Sequence, residues 1–80
     1  MLPKTYVIRT QAGSIRGVPD LIICRNGHFF AWELKVDSPI TPLQEYHIDL
    51  IAAAGGGAWV VKPENLETSI NQLMALSGGF

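Results

Sequence analysis

A single cysteine, Cys24, rules out any disulfide within the chain, so packing and hydrogen bonding must hold it together. It sits in the apolar run Leu21-Ile22-Ile23-Cys24 and is expected to be a small buried hydrophobe, not a reactive thiol. His28 and His47 have no cysteine partner and no His-x-x-x-His spacing, which excludes a zinc site. Long hydrophobic runs are missing too. Leu21 to Cys24, and Ala52 to Ala54 with the glycines that follow, fall far short of the roughly 20 residues a membrane span needs. The segment after Met1 also lacks the basic-then-apolar order of a signal peptide, so an intracellular protein is expected. Charge is scarce, at 16% of residues with a net value of −1, and offers no uniformly basic surface.

What is present is a folded composition, 48% apolar with every aromatic type. Eighty residues leave room for one small domain, 1–80, with a limited core. The few charges are unevenly spread. Residues 1 to 35 carry Lys4, Arg9, Arg16, Arg25 and Lys35 against Asp20 and Glu33, whereas the rest carries Lys62 against Asp37, Glu45, Asp49, Glu64 and Glu67. A basic first half fits either ordinary solvated surface or a phosphate-binding face.

Tyr6-Val7-Ile8 is a short β-prone run, and Gln11-Ala12-Gly13-Ser14 after it reads as a loop. Asp20 to Arg25 and His28 to Lys35 are two further strand candidates. Between them Asn26-Gly27 is the strongest short hairpin signal, because both turn residues must accept positive φ. Thr41-Pro42-Leu43-Gln44 then opens a helix, with Thr41 as N-cap, Pro42 in the first position and Gln44 closing a capping box. Leu43, Tyr46, Leu50, Ile51 and Ala54 recur at helical spacing until Gly55-Gly56-Gly57 ends the run. Ala58-Trp59-Val60-Val61 is a fourth strand. Pro63 and Asn65 start a last helix with the stripe Leu66, Ile70, Leu73 and Leu76. The order is β-β-β-α-β-α, an α/β chain whose mixed four-stranded sheet has strand four parallel to strand three.

The hairpin turn fixes a register with chemical consequences. With Asn26 and Gly27 as the loop, Arg25 pairs with His28, and pairing outward brings Asp20 opposite Glu33. Directly opposed residues share a face with Cβ atoms roughly 5 Å apart, and Lys35, two residues past Glu33, shares that face. Opposed like charges destabilise a sheet unless something compensates them. A divalent cation does: Mg²⁺ or Mn²⁺ takes oxygen ligands and keeps waters for a phosphate and a nucleophile. Lys35 could then position or deprotonate that water, or stabilise charge on the phosphate. The plainer reading of the trio is an ion-pair cluster at a strand end. Against it stands the Pro19-Asp20 pair at the register that matches Glu33.

Taken in order, Gly17-Val18-Pro19-Asp20, the hairpin, Glu33-Leu34-Lys35 and Thr41-Pro42-Leu43-Gln44 resemble the VRR-NUC domain of the PD-(D/E)xK nuclease superfamily, over roughly residues 6 to 76. The resemblance implies a restriction-endonuclease-like core in which Asp20 and Glu33 bind Mg²⁺ or Mn²⁺, the Leu34 carbonyl assists and Lys35 acts on the water. Gln44 matches a position that supports the site, although its capping role already accounts for it. Stand-alone members resemble Holliday junction resolvases and act as homodimers, so the expected partner is branched DNA such as a four-way junction, in a cytoplasmic setting of bacterial or phage origin. One feature departs from the family pattern. A helix before the first strand usually supplies another glutamate, and here no acidic residue precedes Asp20.

Arg9, Arg16 and Arg25 are the expected phosphate contacts, and Trp32 and Trp59 the expected core. The apolar share, high for so small a core, leaves Phe29, Phe30, Tyr46 or Phe80 for a subunit contact. Two alternatives to an active endonuclease remain at this level. One is a nuclease-like domain that holds DNA or a partner protein without cutting, and the other is a structural subunit.

Overall fold

The computed structural model describes residues 2–10 and 15–79, so the loop expected at Gln11 to Ser14 and the contact expected of Phe80 lie outside the described residues. Strands β1 (Thr5–Arg9), β2 (Leu21–Arg25) and β3 (His28–Leu34) are followed by helix α1 (Pro42–Ala53), strand β4 (Gly57–Val61), a short 3₁₀ turn (Pro63–Asn65) and helix α2 (Leu66–Leu76). The strands form one sheet in the order β1-β2-β3-β4. β1 to β3 are antiparallel neighbours, and β4 runs parallel to β3 after the α1 crossover.

The turn chemistry explains the hairpin. Asn26 and Gly27 take φ of 51° and 81°, the pair of positive values that a two-residue turn matched to strand twist requires. Arg25 pairs with His28 and Leu21 with Trp32, which is the register that the turn dictates. α1 begins on a complete capping box: the Gln44 N–H donates to Thr41 Oγ1 (3.2 Å) and the Thr41 N–H donates to Gln44 Oε1 (2.9 Å). Ala54 then caps the helix and Gly55, at φ 95°, turns the chain toward β4.

The core lies on one face of the sheet, where Ile23, Phe30, Trp32 and Val61 pack with Leu73 of α2. Trp59 joins from β4, with its ring centroid 6.1 Å from Phe30 and 6.2 Å from Trp32. Trp32 is buried and Trp59 half-buried, in keeping with their expected core role. Phe30 is buried as well, which removes it from the candidate subunit contacts.

The buried side of α2 differs from the apolar stripe. Leu73 is buried and Ile70 packs on the core, but Leu66 and Leu76 are exposed while Ser69, Met74 and Ser77 are buried. Hydrogen bonding rotates the helix. Trp59 Nε1 donates to Ser69 Oγ (3.1 Å), and Ser77 Oγ at the C-cap accepts from Arg25 Nη1 (2.6 Å), so a half-buried indole and a buried guanidinium find their partners on the helix and its cap.

Two expectations on β2 are corrected. Cys24 is exposed. It points to the sheet face opposite Ile23, and α1, which joins β3 to its neighbour β4, lies over those two strands and leaves the β1–β2 side of that face open. Arg25, at 1% exposure, is among the most buried side chains described. Its guanidinium reaches Ser77 at the end of α2, where helix carbonyls favour a cation, and Asn26 Nδ2 donates to the Ser77 carbonyl (2.9 Å) beside it. Arg25 therefore ties α2 to the hairpin and has no surface to offer a phosphate.

Candidate active site

The ladder ends at Leu21 opposite Trp32, so Asp20 and Glu33 are the next residues on the two chains, beside one another where the hairpin ends. Asp20 is anchored from two sides. Its backbone carbonyl accepts from the Thr10 N–H (2.8 Å), and its Oδ2 accepts from the Leu34 N–H (2.8 Å). Because the N–H and C=O of one strand residue point the same way in an antiparallel ladder, the Leu34 carbonyl also faces the Asp20 side. On the other side of β3 the Lys35 N–H donates to the Val61 carbonyl (3.0 Å), which holds the strand end beside β4.

Glu33 is 3% exposed. Its Oε2 accepts from Gln44 Nε2 (3.4 Å), whereas its Oε1 is buried with no hydrogen-bond partner. Burial pushes its acid up from 4.5 to about 7, helped by a hydrogen bond to Asp20 and by the Asp20 charge, and opposed by the Lys35 ammonium. The Asp20 and Lys35 charges thus act on Glu33 in opposite directions. Gln44 shows that its two readings are compatible. One end of its amide closes the capping box and the other touches Glu33, so the residue that starts α1 also aims the helix N-terminus at the carboxylate pair.

Gly17 shows why the chain leading into Asp20 begins with glycine. Its φ is +83°, and a Cβ there would lie 2.6 Å from Leu43 Cγ and 3.0 Å from the Leu43 carbonyl of α1. This close approach seats the loop that carries Pro19, itself buried, and Asp20. Gly17→Ala is expected to cost about 1–3 kcal/mol through backbone strain and the clash together. Thermal unfolding would check this, and a variant as stable as the parent would show the seat to be loose.

Among the residues expected to touch DNA, Arg9 and Arg16 are exposed, and both lie at the Asp20 end: Arg9 pairs with Leu21, and Arg16 precedes Gly17. Lys62, one residue past the Val61 that pairs with Leu34, is a further exposed cation at this end. It stands in the acidic half of the sequence, and only the parallel pairing of β4 with β3 could have placed it here. A hollow of about 480 Å³ lies at the opposite end of the sheet, between the hairpin turn and the glycines before β4, and no acidic residue lines it.

The donor set suits a hard divalent cation. Two carboxylates face one another, one oxygen is buried without a partner, and a strand carbonyl is turned toward them, which matches the oxygen preference of Mg²⁺ and Mn²⁺. Among the described residues no group of three or more His, Cys, Asp or Glu side chains converges, so waters and the nucleic acid would have to supply the remaining ligands.

A mixed α/β sheet of this order, with a carboxylate pair and a lysine at the end of its central hairpin, defines a nuclease-like domain. No family model and no curated protein matches the chain. A solved structure described as a VRR_NUC domain protein does: it is 30% identical, superposes with a TM-score of 0.74, and the match covers 89% of this chain and 69% of that one. The chain belongs to the VRR-NUC domain family.

Proposed function

We propose that this domain is an endonuclease that hydrolyses DNA phosphodiester bonds with Mg²⁺ or Mn²⁺. The observation that carries the reading is the pairing of Asp20 with Glu33 around a buried, unpartnered Glu33 Oε1. Asp20, Glu33 and the Leu34 carbonyl would hold the ion. When bound, it supplies charge neutralisation and a water acidic enough to attack near neutral pH. Lys35 positions that water or stabilises negative charge growing on the phosphate, and Gln44 keeps Glu33 in place through its amide.

Arg9 and Arg16, exposed at the same end, would bind flanking phosphates and make affinity fall steeply as salt rises. The substrate proposed is branched duplex DNA such as a four-way junction, cut by a homodimer whose two sites are related by a two-fold axis. The exposed Phe29 and Tyr46 fit a chain that associates. No helix among the described residues is long and apolar enough to cross a membrane.

That only two carboxylates converge among the described residues favours a second reading, a domain that grips branched DNA or a partner protein without cutting it. Incubation of the purified protein with a labelled four-way junction in Mg²⁺, in Mn²⁺ and in EDTA separates the two. Cleavage in either metal and none in EDTA is the expected result. Tight binding with no cleavage in either metal would establish the second reading, and cleavage that persists in EDTA would remove the metal mechanism.

A further inference from the structure

β1 is an edge strand of the sheet. Its residues Tyr6, Val7 and Ile8 are 66%, 37% and 46% exposed, so both faces of the strand reach solvent. Among the described residues no strand pairs with its outer rim. The Thr10 N–H donates to the Asp20 carbonyl and the Lys4 carbonyl accepts from the Asn26 N–H, so the even-numbered residues turn their backbone groups toward β2. By strand alternation, Thr5, Val7 and Arg9 turn theirs outward. Native sheets usually blunt such an edge with proline, a bulge or a charge in mid-strand. Thr5–Arg9 contains no proline, and its one charge, Arg9, stands at the end.

We propose that a second copy of this chain pairs with this edge, β1 against β1 in antiparallel register about a two-fold axis at Val7, to make one eight-stranded sheet. The inference rests on the homodimer proposed above and assigns its interface. Strand β1 is suited to pairing with itself. With Val7 opposite Val7 of the partner copy, Thr5 meets Arg9, so every outward backbone group faces an outward backbone group. The same register sets Tyr6 opposite Ile8 twice, an aromatic and β-branched pairing of the kind that stabilises sheets. Lys4 falls opposite Thr10 and Arg9 opposite Thr5, so no like charges are opposed.

The geometry also serves the chemistry. A two-fold axis through an antiparallel strand pair stands perpendicular to the sheet. Both Asp20–Glu33 pairs therefore open on the same face of the composite sheet, where one nucleic acid can reach both.

Two substitutions test the interface by sedimentation of the whole chain at micromolar concentration, with circular dichroism to follow the fold. Val7→Pro deletes an outward N–H and leaves the β1–β2 ladder intact, because proline is tolerated where the missing donor faces solvent. Val7→Cys in a Cys24→Ser background sets two thiols opposite each other across the axis, at a Cα separation of about 5.5 Å that a disulfide can bridge. The expected results are a parent at twice the 8.7 kDa of one chain, a Val7→Pro variant at half the parent mass with an unchanged spectrum, and a Val7→Cys variant that oxidises to a covalent dimer. A dimeric parent that keeps its mass in Val7→Pro, or does not cross-link through Val7→Cys, would overturn the β1 interface and leave the homodimer standing. Dissociation by Tyr46→Lys but not by Val7→Pro would move the interface to the α1 flank. A parent that sediments only as a monomer would remove both the homodimer and this interface.

Discussion

Lys35→Ala should lower the rate of junction cleavage by about 10²–10⁴-fold, the range expected when a group that positions a proton or stabilises transition-state charge is removed. DNA binding should change far less, because Arg9 and Arg16 remain at the site end. Glu33→Gln and Asp20→Asn should be more severe, since each removes a negative ligand from a pair that has no third carboxylate among the described residues to replace it. The two substitutions differ in their structural side effects. Asp20 Oδ2 accepts the Leu34 N–H, a bond that an asparagine oxygen can still accept, so Asp20→Asn should keep the fold. Glu33→Gln puts an amide where Gln44 Nε2 already donates, and it relieves the like-charge contact. It should therefore fold at least as well as the parent while losing activity. Single-turnover cleavage with saturating protein, alongside junction binding in EDTA, separates these effects. Cleavage by Glu33→Gln within tenfold of the parent would end the proposed role of the carboxylate pair.

The carboxylate pair was readable from sequence because a two-residue turn transmits register along a whole hairpin. Once Asn26 and Gly27 are the loop, the residue that Asp20 meets across the hairpin is Glu33. The start of α1 was readable for a similar reason, since Thr41, Pro42 and Gln44 each meet a local hydrogen-bonding requirement. What escaped depends on distant packing. Arg25 next to a surface turn has the look of an exposed cation, and only Ser77, 52 residues on, makes it a buried one. Cys24 sits in an apolar run that predicts burial on both faces. The lateral seat of α1 over β3 and β4 decides that it is exposed. The buried serines of α2 are invisible to an apolar pattern because they answer the indole of Trp59 and the guanidinium of Arg25. In each case a local signal is outvoted by a contact between residues far apart in the chain.

The metal-free protein should be least stable where it is expected to work. Folded Glu33 titrates at about 7 instead of 4.5, with burial the first cause and Asp20 the second. A carboxyl with a raised folded value binds more protons folded than unfolded, so its contribution is fully present below about pH 4.5 and is lost as pH rises through about 7. The loss attributable to this group is at most on the order of 3 kcal/mol, still a large share of the stability of so small a domain. Urea unfolding in EDTA at pH 5 and pH 8 should show the drop, and Glu33→Gln, which cannot ionise, should be flatter by that amount. Addition of Mg²⁺ or Mn²⁺ at pH 8 should restore stability in proportion to the logarithm of its concentration above the dissociation constant, because the ion binds only the folded pair. At pH 5 the same addition should do little, since the proton on Glu33 competes with the cation for the same oxygens. Cleavage should follow the same curve, rising as pH passes through about 7. If parent and Glu33→Gln lose stability equally between pH 5 and pH 8, and metal stabilises both alike, then Glu33 is neither the titrating group nor a ligand.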